Sequence, residues 1–228
     1  MSKDRPAILL TGFGPFPTVA ANATSVLVPM IAEAAREIFP DVKIVDAVLP
    51  TEWHGGLHAA EQLYHRHNPA VALHFGVSGR ASGFEIETRG RNRCSMSMDA
   101  AGFLPMGHEL APDGPEFLVS PLPASHIVQR LRRRGIPAMI SRDAGGYLCN
   151  ALLYHVLSQR GHRVASARSG FIHLPANLVH ERTPWRGPLR SCRLSWDDVV
   201  AGGVEIIATC LRRTSPTAPP QPKRRLAM

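Results

Sequence analysis

Short apolar runs, most of them closed by glycine or proline, alternate along this chain with stretches of helical periodicity. The runs are residues 7–11, 42–49, 70–75, 136–140 and 170–175. Between them, Val26, Met30, Ala34 and Ile38 recur at helical spacing, as do Leu57, Ala60 and Tyr64, then Ile127 and Leu131, then Leu148, Leu152 and Val156. A last helix is expected from Ser195 through Val204 to Leu211. Strands that alternate with helices need crossover connections, which predicts an α/β fold with a mostly parallel sheet covered on both faces. The chain has 228 residues, 44% of them hydrophobic, enough for a substantial core. A single domain is expected over residues 1–213. Within it, residues 81–121 are rich in Gly, Pro and Arg and read as an irregular, β-rich insertion or flap. Residues 214–228 form a basic, proline-rich tail expected to be disordered.

Residues 141–150, Ser-Arg-Asp-Ala-Gly-Gly-Tyr-Leu-Cys-Asn, read as strand end, glycine turn and helix start. This puts Cys149 in the first helical turn, where unpaired N–H groups and the positive end of the helix dipole collect. A thiol there is biased toward thiolate, the nucleophilic form. The neighbouring N–H groups suit the oxyanion formed when sulfur attacks a carbonyl. A nucleophile also needs a base, and a group to orient that base. Among eleven histidines, His173 stands out because it ends the apolar run Gly170-Phe171-Ile172. In a parallel sheet that strand end is also where the Cys149 helix begins. His74 and His155 read as core histidines. Glu85 and Glu87 follow the turn after the third strand, and the pattern does not choose between them. Phe13 and Phe16, on the Gly-Phe-Gly-Pro-Phe loop after the first strand, suit either a pocket wall or the core beneath it.

The formal net charge is +8. Much of it is local: Arg130, Arg132, Arg133 and Arg134 in one cluster, and Arg212, Arg213, Lys223, Arg224 and Arg225 near the end. No zinc-finger or aromatic-interleaved basic motif accompanies them. Solvated faces are therefore expected, with no specific nucleic-acid partner and only salt-sensitive attraction to polyanions. No apolar run approaches the ~20 residues that span a bilayer, so no membrane partner is expected. The start, Met-Ser-Lys-Asp-Arg-Pro, does not read as a signal peptide. Cys94, Cys149, Cys192 and Cys210 lie far apart without metal-ligand spacing, so free thiols and a cytoplasmic location are expected.

Four blocks carry a resemblance to the pyroglutamyl peptidase I family of cysteine peptidases, also called pyrrolidone-carboxylate peptidases. They are Thr11-Gly12-Phe13-Gly14-Pro15-Phe16 with Asn22, the stretch from Gly76 through Glu87 to Asn92, Asp143-Ala144-Gly145-Gly146-Tyr147-Leu148-Cys149-Asn150, and Gly170-Phe171-Ile172-His173-Leu174-Pro175. The third is the most specific. The resemblance spans residues 8–211. It implies a three-layer α/β/α sandwich, often a homo-oligomer (dimer or tetramer), with no metal or organic cofactor. It implies a peptide substrate with a blocked N-terminus, from which the pyroglutamyl group is removed. By position, Cys149 is the implied nucleophile, His173 the general base and then acid, and Glu87 the orienting carboxylate. Phe13, Phe16 and Thr51 match positions lining the family's pyrrolidone pocket.

This chain departs from the family pattern at recognition positions. Val77 stands where members commonly carry a glutamine that hydrogen-bonds the substrate lactam. The usual Gly-Gly-Arg is Gly79-Arg80-Ala81 here, and Met98-Asp99-Ala100-Ala101-Gly102 offers no match for a further family arginine. These departures spare the implied triad and strike at substrate recognition. Two alternatives follow: the same triad acting on another small N-terminal acyl group, or a catalytically silent binding protein on this scaffold.

Overall fold

The structure is a computed structural model that describes residues 5–16, 21–159, 168–178, 194–214 and 216. In chain order the elements are β1 (Ala7–Phe13), α1 (Thr24–Ile38), β2 (Lys43–Leu49), α2 (Gly55–His67), β3 (Val71–Ser78), β4 (Phe84–Glu87), β5 (Arg89–Arg91), β6 (Phe117–Val119), α3 (Ala124–Arg133), β7 (Ala138–Ser141), α4 (Leu148–Ser158), β8 (Arg168–Pro175) and α5 (Trp196–Cys210). The strand expectation at residues 164–166, the loop at 183–192 and nearly all of the 214–228 tail fall outside the described residues.

Side chains alternate across each strand and so divide between two cores. On one face Ile8, Leu10, Phe75, Ile86 and Ile172 pack against Leu27 and Ile31 of α1, Ile127 and Leu131 of α3, and Ile206 and Ile207 of α5. On the other, Leu9, Phe13, Ala72 and Phe171 pack against Ala60 and Tyr64 of α2 and Leu148, Leu152 and Val156 of α4. The result is the expected three-layer α/β/α sandwich. The N-terminus of α5 carries a capping box, with Ser195 Oγ accepting from Asp198 N–H and the Asp198 carboxylate accepting from Ser195 N–H.

The central sheet runs β2-β1-β3-β8-β4-β7, and β5 pairs with β6 in a separate antiparallel ribbon. Every neighbouring pair in the central sheet is parallel except β8 and β4. Two expectations change here. Residues 84–87 are not part of a flap but a strand of the main sheet. β7, parallel to β4, runs against β8, so the strand before α4 does not end beside His173. Ser141 lies level with Glu87, and Glu87 with Phe171. The segment 142–147 therefore turns back before α4 begins. Gly145 makes that turn at φ +81°, a conformation that costs other residues ~1–2 kcal/mol. Gly146, expected to share this role, has an ordinary φ and instead lies close to Ser95.

The arginine cluster of α3 is not simply a solvated face. Glu205 of α5 is fully buried and binds Arg130, and its Oε2 accepts from Arg134 Nη1 at 3.0 Å. Arg132 donates to the Ala138 carbonyl at 2.8 Å, pinning α3 to β7. His74 is a core histidine, as expected. Its ring nitrogens meet Thr11 Oγ1 at 2.7 Å and the Tyr64 hydroxyl at 3.0 Å, and burial pulls its pKa down to about 3, so the ring is neutral.

Candidate active site

Three elements converge on one cavity. β8 supplies His173, β4 supplies Glu87 and the first turn of α4 supplies Cys149. Glu87 and Phe171 are register partners across the β4–β8 ladder, as are Glu85 and His173. Glu87 and His173 point to the same sheet face because both lie an even number of residues from these partners. His173 Nδ1–H donates to Glu87 Oε1 at 2.8 Å, and both side chains are buried. Glu87 Oε2 is also buried and has no hydrogen-bond partner among the described residues. Glu85 is less buried and faces the same way.

Burial alone would lower the pKa of His173. The charge and hydrogen bond of the Cys149 sulfur, followed by those of Glu87, outweigh it and raise the pKa to about 10. The ring is therefore an imidazolium at neutral pH, flanked by sulfur and carboxylate. Cys149 is partly exposed, whereas Cys94 and Cys210 are buried, and burial raises the pKa of both, that of Cys210 to about 12. Cys192 lies outside the described residues.

Gly76 lets the sulfur approach the sheet. A Cβ there would meet the Phe171 ring at 2.7 Å and Cys149 Sγ at 3.0 Å, so only glycine leaves the thiol its place. Gly76 is also the register partner of His173. The first intrahelical bond of α4 runs from Ala151 N–H to Tyr147 O. The N–H groups of Leu148, Cys149 and Asn150 thus precede the helix's own ladder, where an anion could be received.

The cavity has a volume of about 160 Å³ and is bordered by Phe13, Phe16, Thr51, Val77, Tyr147 and Cys149, with His173 at its edge. Phe13 is both wall and core, settling the alternative left open by its sequence position. Thr51 is buried and donates to the Gly14 carbonyl at 2.8 Å, tying the loops after β1 and β2 together. Val77 is half-buried and presents no polar atom beyond its backbone. Arg80 reaches the rim, exposed, 3.9 Å from Asp143. Six of the seven residues expected at the site border this cavity, and the seventh, Glu87, is hydrogen-bonded to His173.

Sequence reasoning gave no role to three further residues. Asn150 is fully buried: its Oδ1 accepts from Arg91 N–H at 2.8 Å, and its Nδ2 donates to the Arg91 and Arg93 carbonyls at 2.9 and 2.8 Å. It anchors the start of α4 to the insertion. Asp99, also buried, accepts from the N–H groups of Trp53, Ala101 and Phe103, each at 2.9 Å. Burial would raise its pKa, but these backbone donors hold it low. Tyr147 packs edge-on against Trp53 and donates to Met98 O at 3.0 Å, closing the insertion against the cavity rim. A buried polar residue beside a chemistry-bearing one was the available signal for Asn150. Asp99 had none, because its partners are backbone groups.

Glu85, Glu87 and His173 offer two oxygens and a nitrogen within 4.8 Å of one another, a donor set suited to a divalent ion. Binding through Nδ1 would displace the His173–Glu87 hydrogen bond.

Comparison with known proteins converges on one family. The family model for pyroglutamyl peptidase matches residues 6–205. A pyrrolidone-carboxylate peptidase of Oceanobacillus iheyensis is 34% identical over 75% of this chain and 84% of its own length. One from Ralstonia nicotianae is 31% identical over 91% of this chain and 94% of its own. Among solved structures, a mutant pyrrolidone carboxyl peptidase from the hyperthermophile Pyrococcus furiosus superposes with a TM-score of 0.78 at 26% identity. It covers 90% of this chain and 98% of the other.

Proposed function

The chain belongs to the pyroglutamyl peptidase family, enzymes that remove N-terminal pyroglutamate, and on that premise we propose that it does so through Cys149, His173 and Glu87. The observation that supports this reading is the buried Glu87–His173 hydrogen bond, with His173 and the Cys149 side chain lining the same small cavity. The Cys149 thiolate attacks the carbonyl carbon of the pyroglutamyl amide. The carbonyl electrons move onto oxygen, which the N–H groups at the start of α4 receive. As the C–N bond breaks, the imidazolium of His173 gives its proton to the leaving amine, and a thioester remains. His173, now neutral, takes a proton from water, whose oxygen attacks the thioester and releases pyroglutamate. Glu87 holds the ring with Nδ1 protonated and offsets its charge.

The cavity, at about 160 Å³, is smaller than the ~300 Å³ typical of drug-sized sites and suits one small cyclic acyl group. Cys149→Ala is expected to abolish hydrolysis of a chromogenic pyroglutamyl amide, and iodoacetamide to label Cys149 ahead of Cys94 and Cys210. Hydrolysis surviving in Cys149→Ala would refute the assignment.

Val77 favours a second reading, in which the same machinery accepts another small N-terminal acyl group. A missing polar partner for a lactam costs ~1–3 kcal/mol, or about tenfold per 1.4 kcal/mol. Val77→Gln is expected to raise kcat/KM for the pyroglutamyl amide about tenfold. In a panel of N-acyl amides, a better substrate for the native chain that loses ground in Val77→Gln would establish the alternative. No observation favours a silent binding scaffold.

A further inference from the structure

The far end of the sheet carries a second concave feature, which the peptidase chemistry leaves unused. A cleft of about 590 Å³ is lined by Arg130 and Arg133 of α3, Arg168 at the start of β8, Arg212 and Arg213 just after α5, and His126. Arg168 precedes His173 by five residues of strand, roughly 17 Å at ~3.3 Å per residue, so the cleft and the candidate active site lie toward opposite ends of β8. We propose that this cleft binds a compact, multiply charged oxyanion of the phosphate class.

The charge balance carries the argument. Arg130 is engaged by buried Glu205, and Arg213 by Asp41. Arg168 donates Nη1 only to a neutral acceptor, the Cys210 carbonyl, at 2.9 Å. Arg133 and Arg212 have no side-chain acceptor among the described residues, and no Asp or Glu lines the cleft among them. Three guanidinium groups from three parts of the fold thus line one cleft without a counter-charge among the described residues. Such convergence is repulsive in the empty protein and is relieved by an anion. Arg212 is held there at φ +57°, a left-handed backbone that costs a non-glycine residue ~1–2 kcal/mol.

The C-terminal end of α5 would by itself repel an anion. Its carbonyls are already engaged, however: Ile207 O by Leu211 N–H, Ala208 O by Arg213 N–H, Thr209 O by Arg212 N–H and Cys210 O by Arg168. The planar guanidinium fork matches phosphate oxygens bidentately, and three forks suit an anion of charge −2 or more over a single carboxylate. The cleft's volume leaves ample room for a diphosphate or triphosphate group.

The test is isothermal titration of the full chain with inorganic pyrophosphate at matched ionic strength. The comparison variant is Arg133→Gln with Arg212→Asn, in which asparagine tolerates the left-handed backbone. Saturable one-to-one binding is expected in the native chain, at least about tenfold weaker in the double variant, with pyroglutamyl amide hydrolysis unchanged as a control for folding. No saturable binding would overturn the proposal, as would equal affinity in the double variant. So would binding lost on replacing Lys223, Arg224 and Arg225 by alanine with Arg133 and Arg212 kept, since the tail would then be the site. Saturation by a mixed-sequence oligonucleotide without any response to pyrophosphate would also overturn it, in favour of a nucleic-acid surface.

Discussion

At the scale of single residues, His173 has the environment with the clearest consequence. Its folded-state pKa stands above the 6.5 of an unperturbed ring, at about 10, because the Cys149 sulfur and Glu87 outweigh burial. The stability contributed by the charged ring is therefore fully present below pH 6.5 and is lost as pH rises through about 10. In the proposed mechanism the same proton is given to the leaving amine. The alkaline limb of kcat/KM is expected near pH 10, and Glu87→Gln is expected to move it down. A limb in the ordinary imidazole range for the native chain would show that the sulfur and carboxylate do not hold this proton.

At the scale of elements, the placement of α4 decides whether the thiol meets the ring. Asn150 makes three hydrogen bonds into residues 91–93, all of them buried or half-buried. Asn150→Ala would leave those backbone groups unsatisfied, at ~1–3 kcal/mol. It is expected to lower kcat with little change in KM, and to alter the rate of Cys149 alkylation by iodoacetamide, which a purely global loss of stability would leave untouched. This element was legible in the sequence for local reasons. The glycine turn and the apolar positions Leu148, Leu152 and Val156 announce a helix start wherever they occur. The direction of β7 was not legible, because four residues of strand look alike running either way, and only pairing with β4 decides. The correct neighbours were thus expected for a partly incorrect reason. Glu87 was separable from Glu85 only by family register, since both share a face and only depth in the sheet distinguishes them.

At the scale of the whole molecule, α3 and α5 are fastened to each other by a buried charge. Glu205 joins Arg130 and Arg134 inside a contact that is otherwise apolar. Removing one member of a buried ionic group strands the others, typically at ~3–5 kcal/mol. Glu205→Gln is expected to lower the unfolding free energy read from urea titration by that measure, while KM for the pyroglutamyl amide stays constant, because α5 packs on the sheet face opposite α4. The sequence showed the arginines as a cluster but not their partner, which lies 71 to 75 positions away on another helix.

The antiparallel seam between β8 and β4 has one last bearing on how such a protein would fail. Imidazole and carboxylate stand on strands laced together by backbone bonds in mid-sheet, whereas sulfur rides on a helix packed onto the sheet's face and moored at its start by Asn150. Should warming loosen the mooring before the lacing, the two parts of the site would separate. Heat-inactivated molecules would then keep an intact proton-handling couple with the thiol swung clear, and would regain activity on cooling unless the loosened sulfur had been oxidised first.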